Sequence, residues 1–525
     1  MSSILIEDIK FNNKNIIMDI TFLKIFYPEI FLSFAILLQL VFNMRLINMP
    51  EYNFPIITKD IFYQTMLILT ILALLYATAS GDYALSYAAL VNDKSTLTVK
   101  LILVIICIGL TIVIKNSIVF QEINYPEYFS IYLLAIFSML LMLSCESLAS
   151  FFIAMEMQAL CFYILASFER NSIFSTEAAL KYFISGSFVA GFYLLGASII
   201  YGCVGSLNLN ALNTLLLFSF NSTTECLTPA VFVGVLLIVF TILFKLACAP
   251  FHFWAPDVYE GAPLSSTVIF SILPKLSIFY FFIKYLITVQ IYFVYLSELL
   301  LVFGVFSTFV GTFFAFRQIR VKKVVIYSSI AQTGFLVSVL SLQTLESISS
   351  LYFFLMLYLI TSLLIWGHVI MLNYSNTLIS KFYMSKVSSL QTTDLSNIFN
   401  VHTFLGASIL IIFFSIAGTP PFAGFLGKMM ILLELIKNKS VLAGIILIFL
   451  SAASVYYYIR FIKVAFFESN RPMNTKPAQV TFFNRNFSLS HILFAGLLFY
   501  LVFFYLFSTE LLHLCQYIAI CMGLI

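Results

Sequence analysis

The chain has 525 residues, of which 62% are hydrophobic and only 10% are charged. Soluble domains carry about 25% charged residues, so this composition excludes an ordinary soluble protein and indicates an integral membrane protein. The formal net charge of +4 is too small and too scattered to favour nucleic acid as a partner. Residues 1–22 lack a short apolar core followed by a small-residue cleavage site, so no cleaved secretory signal is predicted.

Apolar segments follow one another along almost the whole chain. A helix needs about 20 such residues to cross a hydrocarbon core of about 30 Å. The sequence predicts an all-α polytopic membrane protein with about 14 transmembrane helices in one bundle. These spans lie near residues 25–47, 61–80, 97–115, 128–145, 147–168, 178–201, 230–250, 263–287, 294–316, 322–342, 349–373, 403–437, 440–466 and 487–507. The apolar tail 510–525 is expected to form an interfacial or peripheral helix because it is short.

Lysines and arginines concentrate in a few connections between spans. They lie in residues 317–323, at Lys381 and Lys386, and in the loop from Arg460 to Arg485. Each of these connections follows an odd-numbered span. The positive-inside rule then predicts that they face the cytoplasm or matrix, with the N-terminus on the opposite side.

Two predicted spans are interrupted in a similar way. The seventh runs into FKLACAPFHFWAPDVYEGAP (244–263), and the twelfth is broken by AGTPPFAGFLG (417–427). Within hydrocarbon, such breaks persist only where protein or a water-filled cavity satisfies the freed backbone groups. Breaks at corresponding places of two halves indicate inverted repeats around a transport site.

The position of these breaks suggests a division of the chain into four parts. Helices 1–3 would occupy residues 1–127, and two inverted five-helix repeats would occupy residues 128–290 (helices 4–8) and 291–467 (helices 9–13). The broken helices 7 and 12 are then the fourth helix of each repeat. Residues 468–525 would hold a loop, helix 14 and the apolar tail.

Four titratable residues lie at a similar depth in these spans: Glu156, Lys245, Lys275 and Lys428. Insertion of a charge at the centre of a membrane helix costs about 2.5–3.5 kcal/mol of free energy, so each of these residues requires a structural or functional explanation. One interpretation is structural, with each charge paired once or reaching for an interface. The other is functional, because a buried lysine beside a carboxylate can load and release a proton.

Two further residues are weaker candidates for proton transfer. Lys181 either reaches the interface or passes protons between Glu156 and Lys245. His252, just after the first break, either relays protons or hydrogen-bonds a freed carbonyl. Asp257 and Glu260 in the following segment are interpreted as turn and cap residues.

The cysteines and histidines show no pattern of metal ligation. No CxxC spacing occurs among the eight cysteines, and no two of the five histidines lie three or four residues apart on one helix. We therefore expect no iron–sulfur, zinc or haem site, and no redox cofactor, in this chain.

Several motifs carry a resemblance to a known family over roughly residues 128–467. Besides the segment at 244–263, they are PKLSIFYF, KKVVIYSSIAQTGF, AGTPPFAGFLGKMMIL and YYYIRFIKVAFF, in this order. The joint pattern resembles the NADH dehydrogenase subunit 2 family, the antiporter-like membrane-arm subunits of respiratory complex I. The resemblance implies fourteen helices with inverted five-helix repeats and broken helices seven and twelve.

The resemblance also implies roles for individual residues. It pairs Glu156 with Lys245 and makes Lys275 the central lysine. It makes Lys428 the lysine of the second half-channel, and Lys181 a connecting lysine. At Gln332 this chain departs from the family, which often has a histidine there, and Phe335 likewise replaces a tyrosine. Glutamine cannot titrate, so a proton relay at that point would have to use water.

The resemblance further implies that no cofactor is bound in this chain. NADH, FMN, iron–sulfur clusters and ubiquinone would lie elsewhere in the complex. The implied partners are other complex I membrane-arm subunits, including neighbouring antiporter-like and small membrane subunits, and lipids. The implied location is the mitochondrial inner membrane. A stand-alone cation/proton antiporter and a non-pumping structural membrane subunit stay open as alternatives.

Overall fold

The computed structural model describes residues 25–47, 56–79, 89–121, 125–214, 227–289, 294–383, 403–467 and 489–523. Within these ranges the chain forms seventeen α-helices with defined bounds, residues 209–214 are also helical, and isolated β-bridges join Leu90 to Cys145 and Ser147 to Asn208. Twelve of the helices are long and apolar enough to cross a membrane, and three shorter apolar helices accompany them. The predicted all-α polytopic fold is confirmed.

The helices follow closely the apolar segments of the sequence. In chain order they are α1 (Tyr27–Ile47), α2 (Ile56–Thr78), α3 (Lys94–Phe120), α4 (Glu127–Ser144), α5 (Leu148–Ala166), α6 (Ile173–Val204), α7 (Leu227–Lys245), α8 (Trp254–Gly261), α9 (Leu264–Val289), α10 (Val294–Arg317), α11 (Val321–Leu340), α12 (Leu345–Tyr383), α13 (Thr403–Ala417), α14 (Ala423–Lys437), α15 (Val441–Phe467), α16 (Leu489–Val502) and α17 (Phe504–Gly523).

Local sequence signals determine where several helices begin and end. The hydroxyl of Ser147 accepts a hydrogen bond from the backbone N–H of Ser150 at 3.0 Å and so caps the start of α5. Gly205 ends α6 in a left-handed conformation, with φ at 81°, which a glycine adopts without steric cost. Helix ends in an apolar bundle need such partners, because unsatisfied backbone groups are costly there.

Helix α9 lies at the centre of the bundle. Almost every one of its side chains is buried, and it packs against α3, α4 and α12. Helix α6 packs on α7, and α10 packs on α11. The central position of α9 places the lysine that follows Pro274 away from both lipid and bulk water.

The two predicted breaks are confirmed. The seventh span is divided into α7 and α8, and the twelfth is divided into α13 and α14. The chain turns between the two segments at each break and continues as a second helix. The breaks therefore place backbone ends of helices inside the bundle.

The C-terminal region differs from the prediction. The expected last span and short tail are instead α16, with 14 residues, and α17, with 20 residues that begin at Phe504. Helix α17 is long and apolar enough to cross a membrane, so the expectation of a short peripheral helix from residue 510 is wrong in its extent. The apolar residues of the predicted last span continue without interruption into the tail. The helix break lies between Val502 and Phe504, several residues before the predicted end of that span. Helix α17 packs against α12 and α3.

Some predictions concern residues that the structure does not describe. Lys386, residues 468–485 and the polar segment 1–22 lie outside the described ranges. The predicted membrane orientation therefore stays a prediction. The same holds for the four-part division of the chain.

Candidate functional site

The first helix break is held by hydrogen bonds to the end of α7. The backbone N–H of Cys248 donates to the carbonyl of Leu243 at 3.0 Å. The indole N–H of Trp254, the first residue of α8, donates to the carbonyl of Phe244 at 3.0 Å. The same carbonyl accepts from the backbone N–H of Ala247 at 2.9 Å, so Trp254 adds a second hydrogen bond that ties the start of α8 to the end of α7. The break is a defined structure in which Lys245 is the last helical residue.

Lys245 faces Glu156 across the bundle. Lys245 Nζ lies 3.7 Å from Glu156 Oε1, and the two side chains are 7% and 24% exposed. This distance allows an ion pair but exceeds a normal hydrogen bond, and Glu156 Oε1 accepts no hydrogen bond from the described residues. The pair is therefore held by electrostatic attraction alone, which a small movement of either helix would change.

Lys275 has a different partner on another helix. Its Nζ donates a hydrogen bond of 2.5 Å to the hydroxyl of Tyr358 on α12 and lies 4.2 Å from the centroid of that ring. The Tyr358 hydroxyl in turn donates to the carbonyl of Ser271 at 3.1 Å. Lys275 is only 6% exposed. A hydroxyl can accept and donate at once, so Tyr358 joins the amine to the backbone of α9.

The second helix break presents a carbonyl to a lysine. Gly418 follows α13 with φ at 80°, and the backbone N–H groups of Gly418 and Thr419 donate to the carbonyl of Phe414. Lys428, one turn into α14, reaches back so that its Nζ donates to the carbonyl of Ala417 at 2.8 Å. The C-terminal end of a helix carries partial negative charge, so α13 stabilises the ammonium group electrostatically. Lys428 is 8% exposed.

The α13–α14 junction depends on close contact between the two segments. A Cβ atom at Gly424 would lie 1.8 Å from the carbonyl oxygen of Ser415, which is closer than any real contact allows. Glycine is therefore required there for the two half-helices to approach each other. This approach positions Lys428 against the end of α13.

These three buried lysines share one physical property. An ammonium group can donate three hydrogen bonds, but among the described residues each of the three has at most one direct partner. Charges in a low-dielectric interior interact strongly, so the gain or loss of one proton changes the local energy by several kcal/mol. Each lysine is therefore sensitive to the position of its own single partner.

Residues 145–455 match the family described as NADH:quinone oxidoreductase/Mrp antiporter, transmembrane. The match includes Glu156 and all three lysines. The chain belongs to this family. Curated relatives extend the similarity beyond that region. NADH-ubiquinone oxidoreductase chain 2 of Marchantia polymorpha is 31% identical over 95% of this chain and 98% of its own length. NADH-quinone oxidoreductase subunit N of Pelagibacter ubique is 33% identical over 66% of this chain and 70% of its own length.

Solved structures of the NADH:quinone oxidoreductase/Mrp antiporter type share the fold. A chain of respiratory complex I from Thermus thermophilus superposes with a TM-score of 0.69 at 22% identity, over 92% of this chain and 98% of that one. A chain of the Mrp complex from Dietzia superposes with a TM-score of 0.73 at 16% identity, over 95% and 97%. The polytopic architecture is thus common to both kinds of membrane complex.

The structure places the two weaker candidates differently. Lys181 is half exposed on α6 and pairs with Glu177 at 2.8 Å and with Asp257 at 3.7 Å, so its described ion pairs do not include Glu156. His252 is buried after the first break, where its Nδ1 has no hydrogen-bond partner among the described residues. The relay roles suggested for both residues stay predictions.

Of the two residues on α11 where the chain departs from the family pattern, Phe335 lies close to Lys428. The ring of Phe335 has its centroid 5.7 Å from Lys428 Nζ, and Gln332, one turn earlier, is buried. A phenylalanine ring can face a cation but cannot transfer a proton. At this point of the chain a proton route needs water or another side chain.

Sequence reasoning missed several buried charges. Glu260, interpreted above as a turn residue, accepts hydrogen bonds from Arg320 and Lys323 and so joins the end of α8 to the start of α11. Lys100, which is fully buried in α3, pairs with Glu29. Lys284, near the end of α9, is buried as well. Lys100 lies six residues inside its helix, and this position could have indicated from the sequence that it is buried. For lysines near the end of a span, such as Lys284, the sequence does not distinguish a buried side chain from an exposed one.

Proposed function

We propose that this chain is a proton-translocating membrane-arm subunit of an NADH:quinone oxidoreductase. The observation that carries the proposal is the set of three buried lysines, two at helix breaks and one on the central helix, with Glu156 facing the first. The curated relatives named above, which align along nearly the whole chain in the first case, support the assignment to this complex.

The proposed mechanism is electrostatic. Glu156 stabilises a proton on Lys245 as long as the two side chains stay close, and separation of the pair favours release of that proton. A proton that reaches Lys275 is held against Tyr358, and one that reaches Lys428 is held against the C-terminal end of α13. Because like charges repel, loading one lysine favours release from its neighbour. Energy from quinone reduction would enter as a movement or charge change at the Glu156 end.

The remaining chemistry is proposed to lie in other subunits. NADH, FMN, iron–sulfur clusters and ubiquinone would be bound there, and this chain would contribute ion movement only. Its partners would be the neighbouring antiporter-like subunits and the small membrane subunits, together with lipids. The exposed apolar side chains of α1, α6 and α10 give this bundle surfaces for such contacts.

We further propose that the membrane is the mitochondrial inner membrane. The multi-pass helical fold requires a membrane, and the relatives in Marchantia polymorpha and Rhizopus oryzae support a eukaryotic organelle. Relatives named subunit N in bacteria point to the plasma membrane as the other location. Fractionation of the source cells, followed by detection of the chain in mitochondrial membranes, tests this part of the proposal.

The proposed activity is tested with Lys245→Met and Glu156→Gln. In sealed vesicles that contain the assembled complex, we expect both variants to translocate fewer protons per NADH oxidised. The matched control is Lys439→Met, because Lys439 is an exposed lysine just after α14. Assembly is measured in parallel by native electrophoresis.

Three outcomes decide between the classes of function. A lower proton ratio in the two variants, with the control unchanged, supports the proposal. An unchanged ratio in assembled complexes would show a structural subunit. Purification of the chain without any NADH-oxidising partner, together with cation/proton exchange by the isolated protein, would show a stand-alone antiporter.

A further inference from the structure

A second group of charges lies where α9 ends, away from the three lysines of the candidate site. We name these five residues the charge cluster: Glu29, Asp93, Lys100, Glu146 and Lys284. Lys100 Nζ lies 2.5 Å from Glu29 Oε1. Lys284 interacts electrostatically with Asp93, Glu146 and Lys100. The cluster thus joins α1 and α3 to the connection between α4 and α5 and to α9.

Backbone hydrogen bonds hold the acidic residues of the charge cluster in place. Val91 N–H donates to the Ser144 carbonyl at 2.8 Å, and Glu146 N–H donates to the Ala89 carbonyl at 3.0 Å. On its other side the carbonyl of Glu146 accepts from Leu209 N–H at 2.9 Å. These bonds pair three separate connecting segments. Asp93 and Glu146 are therefore parts of a constructed site and not side chains on loose loops.

Lys284 is the least compensated member of the charge cluster. It is 7% exposed, and its Nζ donates no hydrogen bond to any described residue. Its other close neighbour is the ring of Tyr280, 5.1 Å from Nζ, whose hydroxyl is bonded to Ser95. A buried ammonium group without hydrogen bonds is costly, so Lys284 needs the two nearby carboxylates or exchanges its proton with them.

The charge balance favours one shared proton. Lys100 is neutralised by Glu29 and also donates to Asn92 Oδ1 at 2.5 Å. Lys284 then faces two carboxylates, Asp93 and Glu146. These three residues together carry one excess negative charge when all of them are ionised. Burial raises the pKa of Asp93 and of Glu146, and the charge of Lys284 opposes that rise. Burial favours a proton on one of the two carboxylates, and the charge of Lys284 favours its release. The three residues are therefore suited to hold one proton that exchanges with the surroundings.

The charge cluster also reaches the surface. Asp93 is half-buried, and its neighbours Ala89 and Lys94 are exposed. Inward, Lys284 lies nine residues after Lys275 on the same helix, which is a rise of about 13.5 Å. Nine residues correspond to two and a half turns, so the two lysines point to opposite faces of α9. A charge on Lys275 therefore influences the cluster through α9 without direct contact.

We propose that Lys284, Asp93 and Glu146 form a proton-exchange site between the interior of the first repeat and the surface at this end of the bundle. Lys284 Nζ has no direct hydrogen-bond partner among the described residues, so a proton passes from its ammonium group through a bridging water to the carboxylate of Glu146 or Asp93. That carboxylic acid then releases the proton to bulk water. This release restores the carboxylate, and the next proton from the interior restores the ammonium group of Lys284. This inference rests on the proposed function, because it requires a chain that translocates protons.

The test uses the assembled complex in sealed vesicles and the variants Lys284→Met, Glu146→Gln and Asp93→Asn. We expect each to lower the number of protons translocated per NADH oxidised. Lys284→Arg keeps a positive charge that does not release its proton, so it should assemble normally and still show the loss. The control is again Lys439→Met. Infrared difference spectra should contain the C=O band of a protonated carboxylic acid, and Glu146→Gln or Asp93→Asn should remove it.

The outcomes separate this inference from the proposed function. If Lys275→Met lowers the proton ratio and the cluster variants do not, the exchange site is refuted and the proposed function stands. If Lys275→Met and Lys245→Met both leave the ratio unchanged, the proposed function fails whatever the cluster variants show. If the complex with Lys284→Met does not assemble, the inference is tested with Glu146→Gln and Asp93→Asn, because both substitutions keep the size of the side chain. An unchanged number of protons translocated per NADH oxidised in both variants, with the infrared band retained, overturns the inference.

Discussion

Replacing Gly424 by alanine should impair Lys428 without removing any titratable group. The added Cβ would lie 1.8 Å from the Ser415 carbonyl oxygen, and real Cβ atoms stay at least 3.0 Å from such an atom. Helices α13 and α14 would therefore have to separate by about 1.2 Å. A separation of this size stretches the bond from Lys428 Nζ to the Ala417 carbonyl from 2.8 Å to about 4 Å, beyond hydrogen-bond distance.

The expected energetic effect has two parts. Overpacking in a close-packed interior costs about 1–3 kcal/mol. Loss of a hydrogen bond from a charged donor costs about 1.5–3 kcal/mol more. Both parts act at the junction of α13 and α14, so we expect Gly424→Ala to lower proton translocation per NADH oxidised and to lower the thermal stability of the complex.

A matched glycine provides the control. Gly191 lies in α6, and a Cβ there would meet nothing within 4 Å. Gly191→Ala should therefore leave activity unchanged and add up to about 1 kcal/mol of helix stability. The assay compares proton uptake and NADH oxidation in the same vesicles. If Gly424→Ala matches Gly191→Ala in both quantities, the argument that close packing positions Lys428 is refuted.

Two further predictions concern Tyr358 and Glu260. Tyr358→Phe removes the hydroxyl that accepts a hydrogen bond from Lys275 but keeps the aromatic ring. We expect normal assembly, a cost of about 1–3 kcal/mol because the amine of Lys275 loses its partner, and slower proton translocation. An unchanged rate of proton translocation would contradict a role for this hydrogen bond. Burial alone would raise the pKa of Glu260, but hydrogen bonds from Lys323 and Arg320 hold it below its ordinary value. The stabilisation from a lowered carboxyl pKa is complete above the unfolded value of about 4.3 and is lost as the pH falls through the folded value. Glu260→Gln should therefore lower the free energy of unfolding by about 2 kcal/mol at neutral pH. The difference between this variant and the unchanged protein should shrink below about pH 4. Glu298→Gln, at an exposed carboxylate, is the matched control.

The breaks and their lysines could largely be predicted from the sequence. Proline and glycine in an apolar run interrupt a membrane helix whatever surrounds them, so α7–α8 and α13–α14 follow from local chemistry. The pairing of Lys245 with Glu156 followed from the family resemblance, and the structure places them 3.7 Å apart. The partner of Lys428 could not be predicted, because the Ala417 carbonyl becomes available only through the particular turn at Gly418.

Lysines near the ends of spans were beyond the reach of sequence reasoning. Lys284 and Lys181 both lie within a few residues of a predicted helix end, and both can extend their amines to an interface. In the structure Lys284 is buried, whereas Lys181 is half exposed. The difference arises because α9 is surrounded by other helices and α6 is not, which is a property of the tertiary packing. The extent of α17 was missed for a related reason, since hydropathy alone does not locate a break at Phe503.

The packing of α17 has a consequence for biosynthesis. Its Met522 sulfur accepts a hydrogen bond from Tyr352 of α12, and the same helix covers part of α3. Because α17 follows α3 and α12 in the chain, it closes this face only after both of those helices have been synthesised. Until α17 packs, the faces of α3 and α12 that it covers stay uncovered. Loss of the last turns of α17, which include Met522, would remove the contact with Tyr352 and leave part of this face uncovered.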